Sequence, residues 1–162
     1  MGGSSGIFSI EATKSGIDKN KIVDAMGLVP YVTRTESSNG IQSFIGAKQE
    51  DKYKPDAGNV ITIGLDTQTV FYQVKPFYTG QNIQVLSHPE INRYNAMFII
   101  PLLKKQMAKF NWGGNGATLG RLNKTSILLP ITSSSNPDWD AMTDYAQAQE
   151  TLVLMRQLCR LE

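Results

Sequence analysis

The residues able to do covalent or metal chemistry are few. The chain has one histidine, His88, and one cysteine, Cys159. Zinc held by several His and Cys ligands is therefore excluded within one chain. A Ser-His-Asp relay needs a base beside a serine on a sharp elbow, and no Gly-x-Ser-x-Gly occurs. His88 precedes Pro89, so it reads as a turn residue with a structural or solvent role. The glycine-rich stretch Asn111 to Gly120 lacks the Gly-Lys-Ser/Thr ending of a phosphate cradle and the G-x-G-x-x-G spacing of a dinucleotide turn. No catalytic residue, metal ligand or cofactor site is assigned. What remains is a set of polar side chains on loops, Thr33 to Asn39 above all, and charge.

Charge is concentrated. Between residues 75 and 125 stand Lys75, Arg93, Lys104, Lys105, Lys109, Arg121 and Lys124 against Glu90 alone. The flanking segments are mildly acidic, and the whole chain carries +2. Local basic density of this kind suits a phosphate backbone whatever the total charge. The solvated face of a helix accounts for Lys104, Lys105 and Lys109 equally well. Two motifs stop short. Asn136-Pro137-Asp138-Trp139 has one proline where an adenine methyltransferase motif has two, and no glycine-rich cofactor segment precedes it; it reads as a helix start. Pro55-Asp56 could open a nuclease metal motif, but no acidic-x-Lys follows.

The elements that must position these side chains read as α+β, one domain's worth of chain at 162 residues. Short strands are expected at Pro30 to Thr33, Gly40 to Ile45, Asn59 to Ile63, Thr69 to Val74, Asn82 to Leu86 and Ser126 to Leu129. Asn39-Gly40 favours a tight turn because both residues tolerate positive φ. A helix is expected from Pro89 to Lys109, with Ile91, Tyr94, Phe98, Leu102 and Met107 inward and Pro101 interrupting. Pro137 starts the last helix, with Asn136 or Ser135 as cap and an apolar stripe of Met142, Tyr145, Ala146, Leu152, Met155 and Cys159. Tyr31, Phe44, Ile61, Ile63, Phe71, Phe98 and Leu128 are expected in the core. Residues 1–6 resemble a cloning linker and 161–162 a tag scar, leaving 7–136 as the folded body and 137–160 as a helix. No apolar run is long enough to span a membrane. A lone cysteine fits a reducing cytoplasm.

Four strings carry a resemblance: VPYVTRTESSNGIQSFI (29–45), GNVITIGLDTQTVFYQVKPFYTGQNIQVL (58–86), INRYNAMFIIPLL (91–103) and GRLNKTSILLPITSSSNPDWDAMTDY (120–145). Their order and spacing resemble the target-recognition domain of type I restriction–modification specificity subunits, and most of all the variant in BcgI-like type II systems. The resemblance implies a curved, barrel-like sheet carrying recognition loops, an internal helix and a C-terminal spacer helix. It implies a domain that reads half of a split double-stranded DNA sequence and leaves methylation and cleavage to other subunits or domains. Met142, Tyr145, Leu152, Met155 and Cys159 would then face a second recognition domain or the methyltransferase or endonuclease partner.

Base edges are read by side chains with paired donors and acceptors: Arg for guanine, Asn or Gln for adenine, Ser or Thr for either. Loops on a rigid sheet are where such side chains belong. Three groups are expected to touch DNA. The first is Thr33, Arg34, Thr35, Ser37 and Asn39. The second is Gln68 with Thr79, Gln81 and Asn82. The third is Asn111, Asn115, Thr118, Arg121 and Lys124, where glycines let backbone amides approach a phosphate. Trp112 fits either stacking on a base or covering the core. A protein-interaction module with a basic face, and a piece of a fused restriction enzyme with an unseen catalytic role, stay open beside this reading.

Overall fold

The computed structural model describes residues 1–3, 6–110 and 117–160. Among the described residues seven strands and three α-helices follow in chain order. The strands are β1 (Ser9–Ala12), β2 (Val29–Val32), β3 (Ile41–Ile45), β4 (Val60–Gly64), β5 (Val70–Gln73), β6 (Tyr78–Thr79) and β7 (Ile83–Ser87). The helices are α1 (Arg93–Met107), α2 (Leu119–Lys124) and α3 (Trp139–Leu158). One sheet runs β1-β7-β4-β5, antiparallel throughout. The other runs β3-β2-β6, with β2 and β6 parallel. The class is α+β as expected, but the strands form two open sheets and do not close into a barrel.

β4 explains the layering. Every one of its residues is buried. Side chains alternate across a strand, and here Ile61 and Ile63 join the large core under the helices. Val60 turns the other way, to Val32 and Phe77 in a small cluster between the sheets. The large core also takes Phe8 and Ile10 from beside and within β1, Leu86 from β7, Ile99, Leu103 and Met107 from α1, Leu122 from α2 and Met142 from α3. The four-stranded sheet is thus a middle layer, helices on one face and the second sheet on the other.

Helix α1 is capped by Asn92, whose side chain accepts from the backbone N–H of Tyr94 and Asn95 while Asn95 accepts from Asn92 N at 2.9 Å. This reciprocal cap starts the helix four residues later than Pro89. The buried stripe is Asn95, Ala96, Ile99, Leu103 and Met107, one position round from the expected one. An almost unbroken apolar run over 94–103 fits either face, and the sheet chooses. Pro101 stays inside the helix on its exposed side. Helix α3 is capped by Asp138, which accepts from Ala141 N at 2.9 Å, not by Asn136 or Ser135. Pro137 is still extended, bridged to Ile131, so the helix cannot begin there.

Four core expectations change. Phe44 is 53% exposed, because β3 has no neighbour beyond it and this face stays in solvent. Leu128 is 91% exposed. Segment 126–129 is not a strand; Ile127 and Leu129 pack inward, but no neighbour among the described residues pairs with its backbone. Phe71 and Phe98 are half-buried rather than enclosed, Phe71 beneath the Lys104 ammonium and Phe98 edge-on to Tyr145. At the other end, Met1 packs on the large core and its amino group donates to Asn123 O and Thr125 O.

Candidate nucleic-acid interface

The turn after β2 is built by backbone geometry. Ser38, Asn39 and Gly40 all have positive φ, 50°, 56° and 78°. Asn tolerates that region and Gly adopts it freely, so Asn39-Gly40 makes the reversal as expected. Thr33 N donates to Gly40 O at 2.8 Å and closes the loop. Gln73 Nε2 donates to Asn39 O at 3.1 Å, and Asn39 Nδ2 to Tyr72 O at 2.8 Å. The turn is therefore stitched to β5, leaving residues 34–37 projecting between two fixed ends.

Parallel pairing of β2 with β6 brings a second segment alongside. Gly80 N donates to Val32 O at 2.8 Å, which places Gly80-Gln81 beside Thr33-Arg34. A Cβ at Gly80 would stand 3.2 Å from Tyr31 Oη and 3.4 Å from Thr33 Cγ2. Glycine is needed there for closeness, not for φ. Tyr31 Oη donates to Ile17 O at 2.7 Å, and Ile17 N donates to Thr79 O at 2.7 Å. Segment 17–19 is thereby drawn up as a third wall.

The result is an open groove of about 490 Å³. Thr33, Arg34 and Thr35 line one side, Gly80 and Gln81 the other, and Tyr31 and Ile17 lie between them. Thr67, Gln42, Asp18 and Lys19 complete it. The first and second expected groups thus meet in one place, though not through every residue. Ser37 sits at the turn, its hydroxyl 3.1 Å from that of Thr35. Asn39 is committed to β5. Gln68 donates through Nε2 to Phe110 O, and Asn82 Nδ2 to Asp66 Oδ2 at 3.0 Å. Both have left-handed backbones, φ 59° and 61°, and act as corners of their loops.

Thr79 is withdrawn from the surface altogether. It is fully buried, its hydroxyl 2.6 Å from Thr13 Oγ1 and 3.2 Å from Ser15 Oγ. Asp56 ends this hydroxyl chain, accepting from Thr13 Oγ1 at 2.5 Å and Lys14 N at 3.2 Å. Burial pushes its carboxyl above the usual carboxylate range, against the lowering effect of those donors. Tyr31 is likewise raised by burial, with Asp18 adding to it.

The third group lies elsewhere. Thr118 caps α2, accepting from Arg121 N at 3.4 Å. Arg121 and Lys124 are exposed on that helix, which packs on β1, at the opposite edge of its sheet from β5. None of the three lines the groove. Asn111 and Asn115, with Trp112, lie outside the described residues. Lys104 and Lys105 occupy the last turn of α1, where positive charge offsets the carbonyl end of the dipole. Lys109 Nζ donates to Gln106 Oε1 at 2.7 Å.

Lys19 and Gln42 were missed in the sequence. Gln42 had a signal: it alternates outward in the strand Ile41–Ile45. Segment 13–19 had none, because it joins the groove through long-range hydrogen bonds to Tyr31 and Thr79. His88 stacks its ring on Trp139 at 4.4 Å, and its Nδ1 accepts from Glu90 N. Among the described residues no group of three or more His, Cys, Asp or Glu could hold a metal ion.

Helix α3 divides into two halves. Met142 and Ala146 are buried against the body, and Tyr145 packs edge-on to Phe98 at 5.5 Å. Arg93 pairs with Glu150 at 2.5 Å. Met142 is therefore part of this domain's own core and cannot also serve a partner. Leu152, Met155 and Cys159 are exposed, as are Val153, Leu154 and Leu158. No helix among the described residues is long and apolar enough to cross a membrane.

Comparison with known proteins agrees with this anatomy. The curated specificity subunit S.BcgI of a type II restriction enzyme from Heyndrickxia coagulans is 31% identical over 142 residues, 87% of this chain. The chain spans 40% of that relative's length. The HsdS subunit from Thermoanaerobacter tengcongensis superposes with a TM-score of 0.60 at 12% identity, over 94% of this chain and 37% of its own. A chain solved in a study of complex assembly and conformational transition of the type I R-M system gives 0.61 at 10% identity, over 94% of this chain and 38% of its own. At such identities these two likenesses speak for the fold alone. The sequence model of the type I restriction modification DNA specificity domain matches residues 5–154, nearly the whole chain, and the protein belongs to that family.

Proposed function

We propose that this chain recognises double-stranded DNA for a restriction–modification system, reading one half of a split sequence, and catalyses nothing itself. The observation that carries this reading is the groove between the ends of β2 and β6, which gathers Thr33, Arg34, Thr35 and Gln81 from separate loops onto one rigid floor. These side chains offer the donors and acceptors that major-groove base edges require. Lys19 at its rim supplies charge for a phosphate, while Arg121 and Lys124, on α2 outside the groove, would meet the backbone apart from it. Methyl transfer and cleavage belong to partner subunits or domains. The projecting end of α3 docks on such a partner or on a second recognition domain, through Leu152, Met155 and Cys159. The setting is the cytoplasm.

Fluorescence anisotropy of duplexes with a randomised core, followed by sequencing of the bound fraction, tests this. Arg34→Ala should weaken binding and relax the preference at one base pair, while Arg121→Ala should weaken all duplexes alike and lower the salt slope by about one. Binding unchanged in Arg34→Ala overturns the groove as the DNA site, and binding unchanged in Arg121→Ala removes α2 from the contact. Methyl incorporation or cleavage by this chain alone, with S-adenosylmethionine and magnesium, overturns the non-catalytic role.

A further inference from the structure

Arg34 is held from behind. Its guanidinium pairs through Nη1 with Asp66 Oδ2, and the same oxygen accepts from Asn82 Nδ2 at 3.0 Å. Asp66 does not line the groove, whereas Arg34 does. The stem of Arg34 lies over the end of β4, where a Cβ at Gly64 would stand 3.4 Å from Arg34 Cγ. The loop carrying Asp66 is itself tied down: Gly64 N donates to Thr69 O at 2.8 Å and Leu65 N to Asn82 O at 3.0 Å. Arg34 thus has both its stem and its charged head held by other elements.

We propose that Asp66 is a specificity-determining positioning residue, which trades affinity for discrimination by clamping Arg34 as a base reader. This rests on the DNA reading above. A guanidinium has five N–H donors, so one engaged edge leaves others for a ligand. A pinned fork presents those donors in one plane, as the paired acceptors of guanine require. The carboxylate also offsets the charge of Arg34, weakening its pull on any phosphate. Freed from Asp66, the same arginine keeps its full charge and can swing to the backbone, which carries no sequence information. Loss of the clamp must therefore move two quantities in opposite directions. A residue needed only for folding would lower both.

The test uses Asp66→Asn, nearly the same shape without the charge, with Arg34→Lys and the double variant, on the same randomised duplexes. Asp66→Asn should lower discrimination about tenfold at a single base pair, the scale of one bidentate contact. It should also tighten binding to non-selected duplex, and steepen the salt dependence by about one unit for the phosphate gained. Arg34→Lys should lose discrimination at the same base pair, and adding Asp66→Asn to it should change discrimination no further. If Asp66→Asn discriminates like the unaltered chain while Arg34→Lys does not, the clamp is wrong and the DNA reading stands. If Asp66→Asn weakens every duplex equally in both backgrounds, Asp66 serves the fold alone and the proposal fails. If the unaltered chain enriches no sequence and Arg34→Lys binds unchanged, the DNA reading falls with it.

Discussion

Replacing Met142 by alanine separates the two roles that one helix stripe could have had. Met142 is fully buried in the large core, with Ile99, Leu103 and Met107 of α1 in the same cluster. The change removes three side-chain heavy atoms, about 2 kcal/mol of transfer free energy at roughly 0.8 kcal/mol per methylene equivalent. A residual cavity of some tens of cubic ångströms adds about 1 kcal/mol more. The expected loss is about 3 kcal/mol, a fall in melting temperature of about 6–12 °C for a chain of this length. Met155, 57% exposed three turns further on, should cost less than about 0.5 kcal/mol when truncated in the same way. Urea denaturation of the monomeric chain at low concentration measures both. A loss below 1 kcal/mol for Met142→Ala, or equal losses for the two, would refute the division of α3 into a docked and a projecting half.

Two further outcomes follow from the groove and its support. Asp56 has a native carboxyl raised above its ordinary value of 3.8, so its contribution to stability is whole below that pH and is lost as pH rises through the higher native value. The stability advantage of the unaltered chain over Asp56→Asn should therefore shrink as pH rises through that window in parallel denaturation series; a constant difference would remove the assignment. Gly80→Val should drive its branch into Tyr31 Oη and Thr33, break the Tyr31–Ile17 hydrogen bond at about 1 kcal/mol, and abolish sequence enrichment. Intact enrichment would place recognition outside the groove.

Legibility in the sequence followed the range of the forces. Asn39-Gly40 announced its turn because positive φ is a property of those two residues. The run Asn59 to Ile63 announced a strand, and Pro137 the neighbourhood in which the last helix starts. The cap moved two residues because Pro137 was claimed by a bridge to Ile131. β1 and β6 were unread, since four residues and two carry no usable periodicity and exist through pairing with β7 and β2. The same cause hid Lys19 from the candidate site and put Thr79 wrongly on the surface. A threonine after a tyrosine in a polar stretch looks solvent-facing until Thr13, Ser15 and Asp56 arrive from elsewhere in the chain. Arg34, Thr35 and Gln81 were expected on exposed loops because a loop's polarity is local, and all three line the groove.

The stitched turn has a consequence for how such a reader could change its mind. Its two ends are held by main-chain atoms and by Asn39 and Gln73, not by residues 34–37. Those four side chains can be exchanged while every stitch stays in place. On the proposed function, the fold is thereby insulated from these side chains: a new sequence preference could arise by substitutions in a stretch of four residues without renegotiating the core. The exception is position 34, whose partner Asp66 sits on another loop, so a new residue there would have to be matched by a second change across the groove wall.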